Sequence, residues 1–181
     1  MSSLENTTQY KQQPLLVVIM GVSGTGKSTL ANEFATGYGF TFLDADSLHS
    51  QGAVEQMSRG VPLTDAQRAP WIQRIYSQLC QYQSQNQSCI LAYSGLKQHH
   101  RKVIFSSYRN RLGVLLNAEE SLITERLAQR SDHFMSPELL SSQIAEMEPF
   151  EDKIPLLKLD SADSVEQLLL QLANFIALLN K

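Results

Sequence analysis

The sequence predicts an α/β fold of three α/β/α layers, with a five-stranded parallel sheet between two sets of helices. Two features carry that expectation. Five short apolar runs, at 15–20, 40–44, 89–93, 113–117 and 156–160, alternate with longer segments of helical periodicity. Alternation of this kind implies right-handed crossovers and strands buried on both faces. The first run also leads directly into Gly21-Val22-Ser23-Gly24-Thr25-Gly26-Lys27-Ser28, which fits G-x-x-x-x-G-K-[ST]. A strand, a glycine-rich turn and a helix in that order form a phosphate cradle.

The elements follow in order. After the polar stretch 1–13, which has neither the charged nor the apolar region of a signal peptide, residues 15–20 read as a buried strand. In the loop, Gly21, Gly24 and Gly26 let the main chain approach a ligand, and the N–H groups through Ser23, Thr25 and Thr29 form a nest for phosphate oxygens. Lys27 brings a positive charge to the β/γ-phosphates, and the Ser28 hydroxyl suits Mg²⁺. A helix over 27–36 aims its partially positive end at the same place.

A second strand covers 40–44 and a helix 47–59, ended by Gly60-Val61-Pro62. Thr64 reads as a cap, with a long helix over 70–83 burying Trp71, Ile75, Leu79 and Tyr82. Strands at 89–93 and 113–117 flank a helix over 98–111, on which His99 and His100 read as surface residues. A helix over 118–130, a polar segment turning helical before residue 149, a strand at 156–160 and a helix over 164–179 complete the chain. Ligands of such sheets bind beyond the carboxyl ends of the strands, which gathers the loop, Asp44/Asp46 and Tyr93/Ser94 at one edge.

Composition narrows the function. The 181 residues suit one domain, over 14–181, and a net charge of −3 provides no basic field for nucleic acid. The longest apolar run is too short to span a membrane. Cys80 and Cys89 are the only cysteines, without metal-ligand spacing, and fit a reducing cytoplasm. Taken alone, the loop leaves open what is phosphorylated, and whether anything is.

With its elements in place, the chain resembles the gluconate kinases, small P-loop kinases related to shikimate and nucleoside-monophosphate kinases. The likeness rests on Met20 to Ser28, on Phe42-Leu43-Asp44-Ala45-Asp46 with His49, and on Gly60-Val61-Pro62-Leu63-Thr64-Asp65. It continues through Arg68-Ala69-Pro70-Trp71, Ser94-Gly95-Leu96-Lys97 with Arg101, and Glu125-Arg126-Leu127. The last block is His133-Phe134-Met135, Leu139-Leu140-x-Ser142-Gln143 and Glu148-Pro149. Ser50, Ala53, Gln56 and Lys102 depart from the family's usual Pro, Asn, Lys and Asp.

The resemblance implies a P-loop kinase fold with an acceptor region near 46–84 and a mobile lid near 131–149. It implies ATP and Mg²⁺, a sugar-acid acceptor converted to its 6-phosphate, and a homodimer. Asp46 would contact the acceptor hydroxyl and take its proton, while Asp44 with Ser28 would serve the metal. His49, one turn past Asp46, would face the acceptor; by itself it is equally a structural histidine. Lys97 and Arg101, four apart, suit a substrate carboxylate or simply form a solvated face. Arg126 would contact the nucleotide and Arg130 the transferring phosphate, unless both pair with Glu119 or Glu125. A kinase for another small acceptor, and a nucleotide-binding regulator with little turnover, remain as alternatives.

Overall fold

The structure, a computed structural model, describes residues 13–129, 139–151 and 153–179. Strands β1 (Leu15–Met20), β2 (Thr41–Asp44), β3 (Cys89–Ala92), β4 (Asn110–Asn117) and β5 (Leu156–Asp160) form one sheet in the order β2-β3-β1-β4-β5. Every pairing is parallel. Strand β1 lies between β3 and β4, with β2 beyond β3 and β5 beyond β4, so the strand order reverses there and a crevice opens at the end of β1.

Side chains alternate across the sheet because a strand has a period of two. Val17 and Ile19 face helices α1 (Lys27–Tyr38) and α7 (Val165–Leu179), packing with Leu30, Phe34, Leu172 and Ile176. Leu16, Val18 and Met20 face the opposite layer, formed by α3 (Asp65–Ser84) and α4 (Gln98–Phe105), and pack with Trp71, Ile75, Leu79 and Ile104. The three expected layers are therefore present. Helices α2 (Gln51–Ser58), α5 (Glu120–Ala128) and α6 (Leu139–Glu146) lie around the crevice.

Three elements differ from the sequence expectation, each for a local reason. The helix expected over 47–59 is a 3-10 turn, Ala45–Leu48, followed by α2. Asp44 starts the turn early by accepting from the Asp46 N–H, and the Ser50 side chain then caps a new helix through the Ala53 N–H. Helix α3 starts after the expected Thr64 cap, held by a capping box with Gln67, but runs unbroken through Pro70 instead of beginning anew there. Helix α4 stops at Phe105, because Arg111 binds the Phe105 and Tyr108 carbonyls and turns the chain into a strand that begins at Asn110. On α4, His99 is exposed but His100 is buried, contrary to the expectation of two surface histidines.

Candidate active site

The loop from Gly21 to Ser28 closes the crevice at the end of β1. Gly21 has φ +149°, and a Cβ there would lie 2.6 Å from the Leu116 carbonyl oxygen. Gly24 has φ +87°, and its Cβ would lie 2.9 Å from Ile123 of α5. Only glycine lets this loop lie so tightly against β4 and α5. The Lys27 ammonium donates to the Val22 carbonyl at 2.9 Å, and so folds back over the loop. Gly24, Thr25, Gly26 and Thr29 line a cavity of about 390 Å³ with Arg126, Gln129 and Asp163. Arg126 donates to the Ser161 hydroxyl and, at 2.9 Å, to its carbonyl. The Ser161 hydroxyl in turn donates to the Thr25 carbonyl at 2.6 Å. An arginine from α5 thus braces the loop and borders the cavity.

Ser28 and Asp44 meet on the other side of the loop. The Ser28 hydroxyl donates to Asp44 Oδ2 at 2.7 Å, while Oδ1 accepts from the Asp46 N–H at 3.0 Å. A hydroxyl beside a carboxylate is a hard-oxygen donor set that fits Mg²⁺.

Two residues on, Asp46 enters a second, narrower cavity of about 40 Å³ with His49, Arg68, Trp71, Ser94 and Gln143. His49 stacks on Trp71 with centroids 4.1 Å apart, and Trp71 Nε1 donates to the Ala45 carbonyl at 2.7 Å. This bond fixes the indole face toward the cavity, although Trp71 is also the core residue its periodicity suggested. Burial, together with the Arg74 and Arg68 charges, lowers the His49 pKa to about 4, so its imidazole is neutral at pH 7. Its Nε2 lies 3.9 Å from Asp46 Oδ1. Arg68 contacts Asp65 at 3.4 Å and Glu146 of α6 at 2.6 Å.

Of the residues singled out in the sequence, the structure brings together the loop, Ser28, Asp44, Asp46, His49 and Arg126. It does not bring Lys97 and Arg101 to the cavity. Arg101 is fully buried, donating to the carbonyls of Gly95, Leu96, Glu148 and Pro149 while its guanidinium lies 4.1 Å over the Phe150 ring. It forms an internal clamp and does not line the cleft. Lys97 is 3.7 Å from Glu148 and does not line the cleft. Arg130 and residues 131–138 of the expected lid lie outside the described residues. Arg68 and Gln143 were missed as site residues. Both stand in blocks that carry the family likeness, which was the available signal.

Ser50 caps α2, and Gln56 donates to the Pro62 carbonyl and exchanges hydrogen bonds with Gln67 of the α3 capping box. None of Ser50, Ala53, Gln56 or Lys102 lines the cavity.

Over residues 16–150 the chain matches a family model described as an AAA domain. It is 34% identical to a probable gluconokinase of Dictyostelium discoideum, over 97% of this chain and 92% of that protein. It is 37% identical to a gluconokinase of Gluconobacter oxydans, over 85% and 86% respectively. Among solved structures, an unliganded sugar kinase from a Janibacter species superposes with TM-score 0.84 at 32% identity, covering 91% of this chain and 95% of that one. A gluconokinase from Sinorhizobium meliloti superposes with TM-score 0.80 at 30% identity, covering 92% and 94%. A phosphate loop at the end of β1, together with these relatives along nearly the whole chain, establishes that the protein belongs to the gluconokinase family.

Proposed function

We propose that the protein transfers the γ-phosphate of Mg·ATP to the 6-hydroxyl of D-gluconate. The observation that carries this is the convergence of Asp46, His49, Arg68 and Trp71 on a cleft beside the phosphate loop. ATP phosphates lie against the loop amides and Lys27, with Arg126 at the rim. Ser28 and Asp44 would hold Mg²⁺, which would supply neutralising charge at the phosphates. Asp46 accepts the proton of the acceptor hydroxyl as its oxygen bonds to phosphorus and the bond to the ADP oxygen breaks.

Among the described residues Arg68 is the cation that borders the cleft, and a planar guanidinium suits a carboxylate. The stacked His49–Trp71 pair gives the carbon chain of the acceptor a flat wall. In this assignment Arg130 and the segment beyond it act at the transferring phosphate and exclude water. We infer a cytoplasmic enzyme that works as a homodimer on a small sugar acid.

ADP release with gluconate, glucose, shikimate and nucleoside monophosphates as acceptors tests the assignment. Gluconate should be turned over at least ~10-fold faster than glucose, which lacks the carboxylate for Arg68. Equal rates would remove Arg68 from substrate recognition. Binding of ATP without turnover on any acceptor would favour a regulator.

A further inference from the structure

Gln143 joins the two half-sites. Its carboxamide Oε1 accepts from the Ser23 N–H at 2.7 Å, across 120 residues of sequence, and both residues are buried. Ser23 lies in the loop whose amides are built to receive phosphate oxygens, so a side-chain oxygen occupies one of those donors. The same side chain lines the acceptor cleft.

Helix α6 is seated to bring this about. Leu140 packs with Val22 of the loop and with Ile123 and Leu127 of α5. Leu139 packs with Met57 and Leu63 at the acceptor region. Glu146, at the end of the helix, binds Arg68. With α6 so placed, the cleft measures about 40 Å³, against about 390 Å³ for the cavity beside the loop.

We propose that Gln143 is an exchangeable plug that couples the nucleotide to the acceptor. This rests on the assignment of ATP to the loop and gluconate to the cleft. A phosphate oxygen takes the Ser23 N–H from Oε1, and the released carboxamide turns into the cleft and hydrogen-bonds the acceptor. The exchange is favourable because an anionic oxygen makes the stronger hydrogen bond to a buried N–H. Nucleotide therefore raises acceptor affinity, and reciprocity requires the acceptor to raise nucleotide affinity by the same factor. Gln143 acts in this as a positioning residue.

Calorimetry with a non-hydrolysable ATP analogue and Mg²⁺ tests the coupling. For the wild type, the gluconate Kd should fall at least ~5-fold when the analogue is bound. For Gln143→Ala the ratio should lie within about twofold of one, each ligand still binding by itself. Gln143→Glu keeps the shape but puts a carboxylate where phosphate must arrive, so analogue binding should weaken at least ~10-fold with an unchanged melting temperature. Gln143→Asn, whose shorter amide cannot reach both positions, should resemble the alanine variant and serves if that one fails to fold.

A wild-type coupling ratio retained in Gln143→Ala or Gln143→Asn overturns the proposal, as does analogue binding that Gln143→Glu leaves intact. If the glutamate variant loses analogue affinity while gluconate binds neither enzyme under any condition, the plug at the loop stands and the gluconate assignment fails.

Discussion

Asp44 and Asp46 are two residues apart and have separate environments. Both oxygens of Asp44 are engaged, one by the Ser28 hydroxyl and one by the Asp46 N–H, so this carboxylate shapes the loop's edge. Asp46 instead lines the cleft. Asp46→Asn should lower kcat ~10²–10⁴-fold with little change in ATP affinity, because the amide cannot take the proton. Asp44→Asn should shift the Mg²⁺ requirement upward, because an amide orients a metal-bound oxygen less well. A Mg²⁺ titration of both variants decides, with acceptor binding followed by the fluorescence of Trp71, the only tryptophan in the chain. A shifted Mg²⁺ midpoint in Asp46→Asn, with Asp44→Asn altering only the gluconate response, would exchange the roles. These carboxylates were legible in the sequence because short spacing after a strand fixes where they fall. Gln143 was not, because its partner lies 120 residues away and no local pattern encodes that contact.

At the scale of elements, helix α4 shows what spacing alone leaves open. Residues four apart share a helix face, which grouped Lys97 with Arg101 as a cationic pair. Lys97, however, is the residue that caps the helix, and α4 buries the face carrying His100, Arg101, Ile104 and Phe105. Which face of an eight-residue helix turns inward depends on its neighbours, here the 148–150 segment that Arg101 binds. Two substitutions separate recognition from clamping. Arg101→Lys leaves buried carbonyls without their donors and should cost about 2–4 kcal/mol of stability, with the gluconate KM of the folded enzyme within about twofold of wild type. Arg68→Lys should instead raise that KM ~10-fold or more, with a smaller loss of stability. Chemical unfolding and steady-state kinetics on the pair check this. A raised KM with full stability in Arg101→Lys would return that residue to the substrate.

For the whole molecule, the layers and the parallel sheet were readable because strand and helix periods alternate along the chain. The buried histidines were not, since periodicity does not say which polar residue the layers enclose. That enclosure has a measurable consequence. Burial lowers the pKa of both His49 and His100 to about 4 from an unfolded value of 6.5, the Arg68 charge adding to the effect in each. Each is neutral in the fold and must charge on unfolding in mild acid, so between pH 6.5 and 4 the unfolded chain binds more protons. Stability contributed by the neutral imidazoles is complete above pH 6.5 and is lost as pH falls toward 4. By pH 5 the loss is up to about 2 kcal/mol for each residue. Glu148, whose carboxyl is held below its usual range chiefly by the Gln98 N–H, loses its contribution only at lower pH, so the window from 7.5 to 5 isolates the histidines. Urea unfolding of the wild type, His49→Gln, His100→Gln and the double variant across that window should give a fall in stability that each single substitution reduces and the double removes. A double variant as acid-sensitive as the wild type would show that neither imidazole is the group that titrates.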